Sequence, residues 1–175
     1  MTERSNIIFH ETQKFNQLWL WFAVLFIAGL LWYGSIKQLI FNIPFGSKPA
    51  SNIWLLILWL IFGIALPAFF YSLKLITEVR SDGLYIRFFP LHFSFHRISL
   101  DKLKRYEVRT YRPIWEYGGW GICWGLKGKA YNVSGNRGVQ LEYLNRKRLL
   151  IGSQKPEELV NAIDLVLSKR NKNKH

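Results

Sequence analysis

Two stretches decide the reading of this chain: Leu18–Ile36, LWLWFAVLFIAGLLWYGSI, and Ile53–Leu73, IWLLILWLIFGIALPAFFYSL. Neither contains Asp, Glu, Lys, Arg or His. At about 1.5 Å rise per residue, roughly 20 such residues cross a hydrocarbon layer of about 30 Å. A soluble amphipathic helix carries a polar face, and neither run has one. The sequence therefore predicts a helical hairpin in a membrane, residues 1–74, with spans at about 17–37 and 52–74 and an external loop at 38–51. Asn42-Ile43-Pro44-Phe45-Gly46-Ser47-Lys48-Pro49 within that loop is rich in turn formers.

The first run is too long for a signal-peptide core and has no small-x-small cleavage pattern after it, so it reads as an uncleaved anchor. Charge sets the orientation. All but four of the 24 Lys and Arg residues lie from Lys74 onward, and Lys74, Arg80 and Arg87 follow the second run closely. The positive-inside rule then places both termini in the cytoplasm, as a multi-pass protein of the cell membrane. Only Cys123 is available, so no intrachain disulfide can form, which fits a reducing compartment.

Ionisable groups inside a span mark ion paths and proton relays. Their absence argues against a pump or transporter. Trp19, Trp32, Tyr33 and Tyr71 are read as interface-belt residues, because amphipathic rings favour the headgroup level. Pro67 removes the hydrogen bond to the Gly63 carbonyl and predicts a kink, read as either a hinge or a tolerated distortion.

From Leu75 the pattern changes to short alternating segments between turn residues, about seven strands in residues 75–170. Ser81-Asp82-Gly83 is a hairpin turn. Phe93 and Phe95 alternate with Ser94 and His96, which predicts a strand with His92 and His96 about 13 Å apart on one face. A helix enters at Pro156, with Glu157 and Glu158 at its positive end and a stripe of Leu159, Ile163, Val166 and Leu167. Residues 171–175 form a polar tail. The fold class expected is an α+β membrane protein.

This order of elements resembles the small two-span prokaryotic membrane proteins that carry a pleckstrin-homology-like domain. The resemblance rests on Thr77-Glu78-Val79-Arg80-Ser81-Asp82-Gly83-Leu84, on Leu149-Leu150-Ile151-Gly152-Ser153 and on Pro156-Glu157-Glu158-Leu159. Tyr117-Gly118-Gly119-Trp120-Gly121 and Tyr131-Asn132-Val133-Ser134-Gly135-Asn136 are similar to a subgroup of uncharacterised proteins with this layout. It implies a strongly bent, barrel-like sheet of seven strands capped by the C-terminal helix. It implies no reaction, since fold does not fix function.

The Gly/aromatic segment Trp115–Gly138 is the most distinctive part of the second half. On a strand, Trp120, Ile122, Trp124 and Leu126 share one face, and Gly119, Gly121, Cys123 and Gly125 share the other. One reading has the tryptophans fill the core of a curved sheet. The sharper reading makes Trp115, Tyr117, Trp120 and Trp124 a docking surface for a protein partner or the bilayer interface. Lys102, Lys104, Arg105, Arg109 and Arg112 form a basic cluster read either as facing anionic lipid headgroups, where each nearby cation contributes about 1 kcal/mol, or as a solvated basic face that follows from general composition. A tether this short disfavours nucleic acid as a partner.

No phosphate-binding loop, catalytic triad or metal-ligand spacing is present, so no cofactor and no enzymatic activity are expected. Asn132-Val133-Ser134 fits a glycosylation acceptor only by chance in a cytoplasmic domain. The function expected is a membrane-anchored interaction or scaffold module. The alternative is a small accessory subunit of a membrane transport or enzyme complex, with the spans as the main contact.

Overall fold

The computed structural model describes residues 6–100, 102–125 and 127–172. The protein is α+β: two apolar helices near the N-terminus, mixed sheets and a C-terminal helix. It divides into two compact units, and the division is not the one the apolar runs suggest. Residues 15–72 form one unit, while residues 1–14 join residues 73–175 in the other.

In the helical unit, α1 (Leu18–Ser35) continues as a π-helical turn over Ile36–Ile40. The second helix runs as α2 (Asn52–Leu58), a π-helical segment (Trp59–Ala65) and α3 (Leu66–Ser72). These two composite helices, Leu18–Ile40 and Asn52–Ser72, are long and apolar enough to cross a membrane. Small residues let them meet. Gly63 lies under the Trp59 and Trp32 rings, and Gly34 receives the ring of Phe45. Gln38 closes the intervening loop, donating to Ala50 O at 2.7 Å and Asn52 Oδ1 at 2.9 Å.

Among the described residues, the second unit holds nine strands in two sheets rather than seven strands in one. The first sheet runs β1 (Ile7–Lys14), β2 (Lys74–Arg80), β3 (Gly83–Phe89), β4 (His96–Ile98), all antiparallel. The hairpin is thus an insertion between two paired strands. The assignment of residues 1–74 to the membrane hairpin is corrected accordingly: β1 belongs to the β-unit, and Lys14 sits opposite Lys74. β1 buries Phe9, Glu11 and Gln13 on alternate positions. Glu11 accepts from Ser153 Oγ at 2.6 Å and Gln154 N at 2.7 Å, and Gln13 Nε2 donates to Gly152 O at 2.8 Å. Buried polar groups need such partners.

The second sheet has the order β5-β8-β9-β7-β6, from β5 (Leu103–Thr110), β6 (Gly121–Gly125), β7 (Gly128–Asn132), β8 (Arg137–Tyr143) and β9 (Arg148–Gly152). The β7–β9 pair is parallel and the others antiparallel. A short helix, α4 (Pro113–Tyr117), joins β5 to β6. The last helix, α5 (Pro156–Lys172), starts at the expected proline and packs against strands of both sheets. Leu159, Ile163 and Val166 are fully buried in it, and Leu167 less so. The helix reaches Lys172, two residues into the expected tail.

Candidate docking surface

β6 is an edge strand, and its two faces are the reverse of the core-filling reading. Cys123 points inward, packing against Tyr111, Tyr117, Ala130 and Leu150. Trp124 points outward, 72% exposed, with the Lys129 ammonium 4.8 Å from its ring centre. At Gly125 the inward face is bare because the backbone of α4 lies on it. A Cβ on Gly125 would sit 2.0 Å from the Glu116 carbonyl oxygen. That is the close backbone approach for which strand glycines are kept. Leu126, expected on the tryptophan face, lies outside the described residues.

α4 is held by more than this contact. Gly118, at φ 77°, ends it with its N–H on Ile114 O at 2.9 Å. The Glu116 carboxylate accepts from Arg109 and from Arg112 N and lies 3.2 Å from Lys127 Nζ. Burial works to raise the Glu116 pKa. The Arg112 amide and the Lys127 and Arg109 cations outweigh it, so the carboxyl stays ionised below its ordinary range. This fixed framework presents Trp115 at 85% exposure with Ile114 beside it, also exposed. Trp115 and Trp124 each lie one residue from the Glu116–Gly125 contact.

The four aromatic candidates therefore separate. Trp115 and Trp124 are exposed. Tyr117 is core: it is buried, stacked edge-on against Tyr111 at 5.9 Å, and its hydroxyl lies 3.4 Å from Gln140 Oε1. Trp120 is half-buried, donating through Nε1 to Gly135 O at 3.1 Å. The tyrosine joins the core cluster of Tyr111, Ala130 and Leu150, a role the sequence signals only through its place at the helix end.

The basic cluster separates too. Arg109 is ion-paired with Glu116 and donates to Gln140 Oε1 at 3.1 Å, and Arg105 pairs with Glu107. Lys104 instead lines a shallow cleft with Glu142, Tyr143, Leu144, Arg146 and Arg148. Lys102 stands at the same end, its carbonyl accepting from Leu144 N at 3.0 Å. Arg112, exposed, caps the start of α4. Lys104, Arg105 and Arg109 lie along β5, with Lys102 just before it and Arg112 at the start of α4, so the five are spread over the length of the strand and both its ends.

Two further expectations change. Pro90 to Phe95 form a loop, not a strand, and this brings the His92 and His96 rings to 4.1 Å between centres. Burial first, then His96 and Lys129, hold His92 below the ordinary histidine pKa. In the helical unit, Trp19, Trp32, Tyr33 and Tyr71 are all exposed, and Tyr33, like its neighbour Trp32, lies well inside the first helix. Trp32 is not at an end: α1 continues to Ile40, and the Trp32 indole donates to Gly63 O at 3.2 Å, near the middle of the second helix. Among the described residues, no group of three His, Cys, Asp or Glu side chains could hold a metal ion.

An inserted apolar hairpin within a two-sheet unit, with an exposed tryptophan surface on a rigid edge, describes a class by architecture alone. Residues 2–169 match a family described as DUF6141, a family of unknown function, and the chain belongs to that family. No curated protein and no solved structure matches it.

Proposed function

We propose that this chain is a membrane-anchored interaction module: the two apolar helices cross the bilayer, and the β-unit docks a protein partner through Trp115 and its neighbours. Two observations support the anchor. Most residues of both helices are exposed, unlike those of a soluble core helix. The strands flanking the hairpin pair with each other, so both ends of the hairpin return to one side of any membrane it crosses. The excess of Lys and Arg after the second helix favours the cytoplasmic side of the cell membrane. The two sheets and α5 are compatible with a pleckstrin-homology-like domain, from which the parallel β7–β9 pair and the inserted hairpin depart.

The docking reading is carried by Trp115, a large ring left in water on a short helix that cannot move without opening the Glu116–Gly125 contact. Rigid exposed tryptophan is the usual material of a binding hot spot. The reading is tested by placing a photocrosslinking residue at position 124 of the full chain in native membranes. A protein adduct is expected, and Trp115→Ala should abolish it while leaving the melting temperature unchanged. Adducts obtained only from probes within residues 18–40 or 52–72 would support the accessory-subunit reading instead.

A further inference from the structure

Three residues stand in a row at one end of the first sheet: Lys14 opposite Lys74, and Lys74 opposite Phe89. The Lys74 ammonium lies 5.2 Å from the centre of the Phe89 ring. Lys14 precedes the first apolar helix by four residues, and Lys74 follows the second by two. Cross-strand neighbours are about 5 Å apart. Whatever angle the two units adopt, this sheet end is therefore tied within a few residues of both apolar helices.

The chain leaves that row at Phe89 and forms the loop Pro90–Phe95 before β4. The loop has a defined shape. His92 N donates to Phe88 O at 2.7 Å, and the His92 ring packs on His96. Phe95 turns back under the guanidinium groups of Arg80 and Arg87, at 4.9 and 4.8 Å. Two side chains are left outside. Leu91 is 55% exposed and Phe93 81%, its ring meeting only the edge of Phe89 among aromatic neighbours described. A loop of defined shape with two apolar groups in water, leaving the sheet end that carries exposed Lys14, marks a surface that something covers.

We propose that Leu91 and Phe93 seat in the headgroup layer of the bilayer that the apolar helices cross, with Lys14 and Lys74 at the level of the lipid phosphates. The inference rests on the membrane reading given above and is separate from the Trp115 surface. Lipid is favoured over protein on two grounds. Two side chains fall far short of the roughly 800 Å² per partner that a stable protein interface buries. The tether also holds the loop at high effective concentration beside a lipid surface, so a small apolar contact with flanking cations suffices.

Leu144 is a built-in comparison. It is 68% exposed in the turn after β8, next to the Arg148 end of β9. Gly152, at the other end of that strand, receives Gln13. The five residues of β9 separate the two ends by about 13 Å.

The test uses the full chain with Cys123→Ser, reconstituted in nanodiscs of phosphatidylcholine and phosphatidylglycerol. Single nitroxides are placed through Phe93→Cys, Leu144→Cys and Leu60→Cys, and accessibility to oxygen and to a water-soluble nickel chelate is measured. All three positions are exposed, and matching melting curves verify folding. A label at 93 with an oxygen-to-nickel ratio several-fold above that at 144, and below that at 60, is the expected result. Equal, aqueous ratios at 93 and 144 with a lipid-exposed label at 60 would overturn the proposal and leave the membrane reading intact. A water-exposed label at 60 would overturn the membrane reading, and the proposal with it.

Discussion

The indole N–H of Trp32 donates to the carbonyl oxygen of Gly63 at 3.2 Å, and Gly63 is the residue four before Pro67. Proline has no N–H to return to that carbonyl. The first helix therefore supplies a side-chain donor to the carbonyl whose four-residue partner is proline. The Trp59 ring stands edge-on to Trp32 at 4.9 Å and completes the contact. Pro67 thus lies four residues beyond a carbonyl that takes part in an inter-helix bond.

Trp32→Phe keeps the ring and removes the donor. In apolar surroundings this should cost about 1–2 kcal/mol. Pro67→Ala restores a backbone N–H that can reach Gly63, so in that background Trp32→Phe should cost clearly less. Unfolding in detergent micelles of the four proteins of this cycle measures the coupling. Equal costs in both backgrounds would mean that the indole does not serve the proline-freed carbonyl.

Gly125→Ala and Trp115→Ala should behave as opposites. The first puts a methyl against the Glu116 carbonyl, backbone against backbone, and overpacking of this kind costs about 1–3 kcal/mol. The second removes a ring that is mostly in water and should change stability by no more than about 0.5 kcal/mol. Chemical denaturation distinguishes them. A large loss from Trp115→Ala would return that ring to the core and remove the basis of the docking surface.

Much of this was legible in the sequence, and the misses have physical causes. The charge-free runs located both helices, and Pro156 with Glu157 and Glu158 located α5, because caps and uninterrupted apolarity are local signals. β1 escaped because its inward face is Phe9, Glu11 and Gln13, so alternation there is not hydrophobic alternation, and its partner lies some 60 residues away. The facing of β6 stays open in the sequence because side-chain size alone favours burying the tryptophans. A backbone lying on Gly125 cannot be seen in sequence, and it makes the small face the buried one. The His92–His96 pair escaped because Phe93 and Phe95 imitate a strand where the chain in fact turns.

The acid side of stability should depend on His92. Burial, His96 and Lys129 hold its folded pKa below the ordinary 6.5, with Tyr131 the ring packed nearby. The native state thus favours neutral imidazole. Its contribution is fully present above pH 6.5 and is lost as pH falls through the lower folded value. Imidazole resonances followed by NMR should show His92 titrating below 6.5. His96→Asn should raise that midpoint only in part, because burial is the larger cause. A midpoint unmoved from the ordinary value would contradict the packing of this loop.

The insertion of the hairpin between paired strands makes the last prediction, a β-unit that folds without its helices provided β1 is kept. Residues 75–175 alone lack β1, leave β2 as a raw edge and orphan the partners of Glu11 and Gln13, namely Ser153, Gln154 and Gly152. That fragment should be aggregated or unfolded. Lys14 and Lys74 are opposed in an antiparallel pair, so Asn-Gly can join them directly as a two-residue turn. Residues 6–14 linked in this way to 74–172 should give a soluble monomer with dispersed amide resonances and a cooperative melt. Should 75–175 fold equally well, β1 would be an accessory strand and the unit would not need the segment before the hairpin.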